Sequence, residues 1–151
     1  MKSSSPFQTL HHVCLVVRDI DTAVAFYTSL GISPWHDYPP LEQYTDLTVP
    51  DRSGFLALRY KFANIANIQI QLCQPTTGDT PQGQFLATRG EGVFHLGFTV
   101  ANCNAGEEAA RKLGLSIQMR GRRPDGSGFT YFNTANQGAG VTLEIRAAPQ
   151  T

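Results

Sequence analysis

Several features are missing from this chain, and each absence narrows what the protein can be. Charge is sparse: only 16% of its 151 residues are charged, and twelve basic residues balance twelve acidic ones to a formal net charge of zero. With no surplus of positive charge there is no electrostatic basis for holding nucleic acid or an anionic membrane, and neither is expected as a partner. No apolar run approaches the roughly 18 residues that a membrane helix needs. Met1-Lys2-Ser3-Ser4-Ser5-Pro6 carries one Lys with no apolar segment behind it, so no signal peptide is expected. The three cysteines, Cys14, Cys73 and Cys103, form neither a CxxC pair nor an even set, which points to reduced thiols in a cytoplasmic protein. Hydrophobic residues make up 41%, enough for one compact domain with a real core and too many for disorder.

What is present is an internal repeat. Leu10-His11-His12-Val13-Cys14-Leu15-Val16-Val17 returns 83 residues later as Val93-Phe94-His95-Leu96-Gly97-Phe98-Thr99-Val100, and the same shift carries Leu30-Gly31 onto Leu113-Gly114. Each block reads as strand, turn, helix and Gly stop. In the first helix Ile20, Val24, Tyr27 and Leu30 recur at helical spacing, with Asp19 or Asp21 as N-cap. The second runs from Ala105 to Leu113, with Asn102 or Asn104 as cap. Strand-like segments follow: Gly54 to Phe62 and Ile65 to Cys73 in the first half, then Ser116 to Met119, Gly128 to Phe132 and Val141 to Ala147 in the second. Trp35 to Arg52, with Pro39, Pro40 and Pro50, reads as a loop-rich insertion or a poorly patterned strand. Gln74 to Arg89 reads as a linker with a short helix near Gln82 to Thr88. The expected fold is α+β: two tandem βαβββ modules, about 8–75 and 92–147 with a linker at 76–91, forming a curved mixed sheet around a metal-binding cleft.

The last strands of the halves also align. Ile70-Gln71-Leu72 matches Leu143-Glu144-Ile145, so Gln71 and Glu144 are equivalent. Strand alternation then sorts the faces. Val13, Leu15 and Val17 face the first helix, and His12, Cys14 and Val16 lie opposite. Phe94, Leu96, Phe98 and Val100 face the second helix, opposite His95, Gly97 and Thr99. In the closing strands Ile68, Ile70 and Leu72 oppose Gln69, Gln71 and Cys73, and Val141, Leu143 and Ile145 oppose Thr142, Glu144 and Arg146. In all four strands one polar donor takes the face opposite the apolar residues. His12, Gln71, His95 and Glu144 are therefore the expected metal ligands. Two imidazoles, an amide and a carboxylate suit Co, Mn, Ni, Zn or Fe(II). Four ligands on a six-coordinate ion leave two positions for neighbouring substrate oxygens, a geometry that stabilises an enolate-like intermediate. Cys14 and Cys73, without symmetry mates, are expected to line the cavity. His11 points away from His12, and His36 has no partner.

These stretches resemble the vicinal oxygen chelate superfamily of glyoxalase I, extradiol dioxygenases and antibiotic-resistance proteins. The branch most like this chain over about residues 9–147 is that of the methylmalonyl-CoA epimerases. The resemblance is carried by Leu10-His11-His12-Val13 with Phe26-Tyr27 and Leu30-Gly31, by Thr80-Pro81 through Arg89-Gly90-Glu91-Gly92-Val93-Phe94-His95, and by Gly140-Val141-Thr142-Leu143-Glu144-Ile145. It implies a single glyoxalase-like domain, the metal set His12, Gln71, His95 and Glu144, a small-molecule substrate and a homodimer. Gln71, where glyoxalase I usually has Glu, favours the epimerase branch. That branch's base, a strand glutamate, falls on Ala57, which leaves Glu144 as the expected catalytic group. The epimerases' His-Pro-Lys run is replaced by Thr134-Ala135-Asn136, so a CoA would rely on Arg122, Arg123, Lys61, Arg111 and Lys112. The implied activity is that of a divalent-metal-dependent isomerase or lyase acting through an enolate on a small acyl-CoA or oxo-acid. A glyoxalase I-like lyase, an Fe(II) extradiol-type dioxygenase and a small-molecule binding or resistance protein remain as alternatives.

Overall fold

A computed structural model describes residues 5–149. The fold is mixed α+β and forms two compact units. One is built from His12–Leu41 and Pro50–Phe94, the other from the stretch ending at His11, Glu42–Val49 and the stretch beginning at His95.

The first-half unit contains most of strand β1 (Leu10–Val16), helix α1 (Ile20–Ser29), β2 (His36–Asp37), helix α2 (Arg52–Leu56), β4 (Arg59–Ile65), β5 (Ile68–Gln74) and helix α3 (Pro81–Arg89). Its strands lie in the order β2-β4-β5-β1, with β1 parallel to β5 and the other pairs antiparallel. The second-half unit contains a 3-10 turn (Leu41–Gln43), β3 (Asp46–Thr48), β6 (Gly92–Thr99), helix α4 (Cys103–Lys112), β7 (Ile117–Arg122), β8 (Gly128–Phe132) and β9 (Thr142–Ala147), apart from the first residues of the turn and of β6. Its order is β3-β7-β8-β9-β6, with β6 parallel to β9 and the rest antiparallel. The two strand orders superimpose element for element, so the βαβββ repeat is real at the level of topology. The one addition is β3, which comes from the first half of the sequence and pairs with β7 in the second-half unit.

The helices start where their caps dictate. Asp19 accepts the backbone N–H groups of Asp21 and Thr22 to open α1, and Asn102 accepts that of Ala105 to open α4. Both helices end at a glycine of positive φ, Gly31 at 91° and Gly114 at 94°, a conformation that costs glycine alone nothing. Arg111 and Lys112 in the last turn of α4 oppose its dipole.

Helices α1 and α4 each pack on strands of their own unit as the periodicities require. Val17, Ile20 and Leu72 form one core with Leu15, Val24, Tyr27 and Trp35 around them. Ala110, Phe132 and Ile145 form the other, with Val100, Leu115, Ile117 and Phe7. Burying an isoleucine such as Ile20 or Ile145 contributes about 2–3 kcal/mol. Leu30, expected on the apolar stripe of α1, is 64% exposed because the helix has ended by that point.

One element differs from expectation. The apolar run at Gly54 to Leu58 is a turn of helix rather than the start of a strand, because Asp51 caps it by accepting the N–H of Gly54 at 3.1 Å. Of its large side chains, Phe55 and Leu58, three residues apart, are buried and Leu56 is only partly so, which is helical spacing. Strand β4 begins only at Arg59, and a two-residue turn at Ala66-Asn67 separates it from β5.

Candidate metal centre

In the first-half unit, the parallel register of β1 and β5 sets His12 beside Gln69 and Cys14 beside Gln71. Cross-strand neighbours share a face, so His12, Cys14, Gln69 and Gln71 lie together, opposite the face that carries Leu15, Val17 and Leu72 under α1. His12 is 2% exposed and Gln71 4%. The Gln71 amide is oriented: its Nε2 donates to Gln69 Oε1 at 2.8 Å, and Gln69 Nε2 donates in turn to Asn64 Oδ1 at 3.0 Å. With its nitrogen committed, Gln71 offers its oxygen, the atom able to ligate a cation. Sequence reasoning does not single out Gln69 and Asn64, although the Gln69-x-Gln71 spacing places both amides on one face.

In the second-half unit the same construction recurs. The register of β6 and β9 sets His95 beside Thr142 and Gly97 beside Glu144. Glu144 thus stands to Gly97 as Gln71 stands to Cys14, which is the equivalence expected from the repeat. His95 is 1% exposed and Glu144 6%, and His95 Nε2 lies 3.2 Å from Glu144 Oε1. An imidazole nitrogen and a carboxylate oxygen so buried and so close are a borderline and a hard donor of the kind that Zn, Fe, Co or Mn takes. The donor chemistry of both halves therefore fits a divalent ion. Tyr131 lies opposite Glu144 in the antiparallel β8–β9 pair, with its ring centroid 4.8 Å from that of His95.

The remaining candidates fall outside this pattern. His36 sits in β2, paired with Phe62 and with its ring 5.3 Å from that of Phe62, three strands out from β1 in the order β2-β4-β5-β1. Cys14 and Cys73 are fully buried on the ligand face, and burial pushes the Cys73 thiol up to about 12, partly offset by a hydrogen bond with Tyr60. Ala57 caps the C-terminus of α2 rather than sitting in a strand, so the alignment that set it against the epimerases' strand glutamate does not hold.

Four of the five basic residues considered for CoA are engaged within the protein, and the fifth, Lys112, is exposed at the end of α4. Arg122, 3% exposed, donates to Glu107, Thr130 and Asn104 and to the carbonyls of Gly121 and Phe129. Arg123 donates to Gln43, Ser127 and Tyr44, and its guanidinium also lies over the Tyr44 ring. Lys61 pairs with Asp37 and holds that carboxyl below its usual range, and Arg111 pairs with Glu108.

Comparison with known proteins agrees with this architecture. A family model described as the glyoxalase/bleomycin resistance protein/dioxygenase superfamily matches residues 11–132. Among curated proteins, the uncharacterized protein YqjC of Bacillus subtilis is 27% identical over 95 residues, 62% of this chain and 58% of that protein. The match thus spans less than two thirds of that relative's length. Among solved structures, methylmalonyl-CoA epimerase from Mycobacterium tuberculosis superimposes with a TM-score of 0.72 at 24% identity, covering 99% of this chain and 94% of that one. The Streptomyces coelicolor methylmalonyl-CoA epimerase in complex with 2-nitronate-propionyl-CoA gives 0.72 at 24% identity, covering 95% and 99%. A hypothetical protein from Bacillus halodurans gives 0.68 at 18% identity, covering 95% and 96%. At these identities the likeness to solved structures is one of fold. With the family model spanning most of its length and the repeat built as described, this chain belongs to the glyoxalase/bleomycin resistance protein/dioxygenase superfamily.

Proposed function

We propose that His12, Gln71, His95 and Glu144 together hold one divalent metal ion, and that the protein is an isomerase or lyase that moves a proton alpha to a carbonyl on a small acyl-CoA or oxo-acid substrate. The observation that carries the reading is the duplicated register. Each half sets one buried imidazole and one buried oxygen donor on the same face, two residues apart across a parallel strand pair. An accidental polar pair would have no reason to occur twice at equivalent positions. His12, His95 and Glu144 are three buried donors of the kind that hold a metal ion.

A divalent ion held by these four residues would supply Lewis acidity, polarising substrate oxygens and making the neighbouring C–H more acidic. The chain's own contribution is positional. Gln69 and Asn64 fix which end of the Gln71 amide is offered, and the β6–β9 register fixes His95 against Glu144. Glu144 is the acid that we assign to proton transfer, since its carboxylate is the ligand able to accept a proton. An oxo-acid or a short acyl group suits the site better than a tightly held CoA, because Arg122, Arg123, Lys61 and Arg111 already have partners in the protein. A cytoplasmic homodimer is part of the same reading. Among the described residues, no helix is long and apolar enough to cross a membrane.

The test is metal analysis of protein purified without added metal, followed by solvent deuterium incorporation. The wild type is expected to retain a divalent metal, His95→Ala to lose most of it, and exchange alpha to a carbonyl to depend on added Co or Mn. Metal content in His95→Ala above a fifth of the wild-type value would overturn the four-ligand site. Metal-dependent oxygen uptake without deuterium exchange would overturn the isomerase or lyase assignment.

A further inference from the structure

The two halves share a third feature beyond the imidazole and the oxygen donor. Opposite each oxygen donor, on the next strand out, stands an aromatic residue: Phe62 pairs with Gln71 across β4 and β5, and Tyr131 pairs with Glu144 across β8 and β9. Directly paired residues in a sheet share a face, so both rings lie on the ligand side. The rings nevertheless do different things. Phe62 packs against His36 and Tyr38 at centroid distances of 5.3 and 6.3 Å. Tyr131 packs against His95 itself, 4.8 Å between centroids at an interplanar angle of 59°.

Tyr131 is 4% exposed and His95 1%, so neither ring can turn without displacing the other. Glu144 constrains the same imidazole from Nε2, at 3.2 Å. Tyr131 is in turn held by Phe129, 5.4 Å away, and Phe129 by Tyr44, 4.9 Å away. Tyr44 arrives on Glu42–Val49, the stretch of first-half sequence built into this unit. A row of packed rings thus runs from the His95 imidazole to the edge of the sheet.

We propose that Tyr131 is a positioning residue for the metal site, and that its packed ring, rather than its hydroxyl, holds the His95 imidazole in the orientation that binds metal. The proposal rests on the metal reading of His95. It accounts for the difference between the halves: in the first half hydrogen bonds orient the amide donor, and in the second an aromatic wall orients the imidazole. A flat, packed ring limits rotation about the last side-chain torsion of a histidine, a broad torsion that nothing else in the side chain restricts. Groups that orient a ligand in this way typically govern about 10–100-fold of metal affinity.

The experiment measures Co(II) affinity by competition with a chelating dye, together with the visible Co(II) spectrum, in the wild type and in Tyr131→Phe, Tyr131→Leu and Phe62→Leu. Each variant's fold is checked by its thermal melt. Tyr131→Phe should bind like the wild type with the same spectrum, whereas Tyr131→Leu should bind at least about 10-fold more weakly with an altered band, the range typical of a lost ligand-orienting group. Phe62→Leu, an equal loss of aromatic volume at the repeat-equivalent position, should leave affinity within about threefold, because Phe62 packs on His36 and not on a ligand. The proposal is overturned if Tyr131→Leu binds less than about fivefold more weakly, if Tyr131→Phe falls as far as Tyr131→Leu, or if Phe62→Leu falls equally far. Should Tyr131→Leu not fold, Tyr131→Met is judged by the same limits. Failure of the metal reading is separately visible, as a wild-type protein that binds no Co(II).

Discussion

Replacing Glu107 by Gln probes how the helix of the second-half unit is tied to the sheet that carries Glu144 and Tyr131. Glu107, on α4, accepts through a single oxygen from Arg120 Nε at 2.8 Å, Arg122 Nη2 at 2.9 Å and Thr130 Oγ1 at 2.7 Å. The Arg120 side chain is 23% exposed, so its pair contributes only about 0–1 kcal/mol. That of Arg122 is 4% exposed, and its charge-assisted bond contributes about 1.5–3 kcal/mol. Gln keeps an acceptor oxygen but leaves the buried guanidinium without its counter-charge, and Arg122 still has carbonyl and Asn104 acceptors. The expected loss for Glu107→Gln is therefore about 3 kcal/mol, near the low end for breaking a buried pair. At this chain length that corresponds to roughly 6–12 °C in Tm.

The pH dependence fixes the sign. Burial alone would raise the Glu107 pKa, but the hydrogen bonds from Thr130 and Arg120 and the charges of Arg120 and Arg122 outweigh it and hold the carboxyl below its ordinary value. A folded-state pKa below the unfolded one means the stabilisation is complete above the unfolded value and is lost as pH falls through the folded one. Urea unfolding of wild type and Glu107→Gln should thus show the full difference at neutral pH and a shrinking one in acid, below the ordinary carboxylate range. A neutral-pH difference under about 1 kcal/mol, the level of an exposed pair, or a difference that grows in acid, would refute the argument.

Two other outcomes follow from burial and backbone geometry. Cys73 is fully buried with its thiol pushed up to about 12, so it should resist alkylation at pH 8 until the protein unfolds; rapid labelling of native protein, read by mass spectrometry, would contradict that placement. Gly128 has φ +148°, and a Cβ there would lie 2.1 Å from the Gly121 carbonyl oxygen across the β7–β8 pair. Gly128→Ala should cost about 3 kcal/mol and weaken metal binding through β8, with an unchanged denaturation midpoint as the contrary result.

The sequence alone determined the repeat and the four candidate ligands, and narrowed each helix cap to two residues, of which the structure uses Asp19 and Asn102. These depend on local rules: an acid at Asp19 or Asp21 and an amide at Asn102 or Asn104 ahead of each helix, glycine stops at Gly31 and Gly114, and strand alternation that assigns His12, Gln71, His95 and Glu144 to the face away from the helices. Alternation has a period of two and needs no knowledge of neighbours, so the ligand faces are legible in the order of residues alone. The run at Gly54 to Leu58 is not, because a short apolar stretch looks the same as strand or helix; the Asp51 cap decides, and it acts through backbone geometry that composition does not carry.

Tertiary structure alone decided which residues touch the candidate ligands. Gln69, itself held by Asn64 across the β4–β5 pair, takes up the Gln71 amide nitrogen, and Tyr131 rather than Phe62 reaches a candidate ligand histidine, contacts that strand register and side-chain packing set. It also decided that Arg122 is an internal counter-charge instead of a surface cation, and that Glu42–Val49 belongs with the second half, where β3 finds a free edge beside β7. The physical reason is the same in each case: a residue's own strand or helix sets which way it faces, but only the register between elements sets what it meets there.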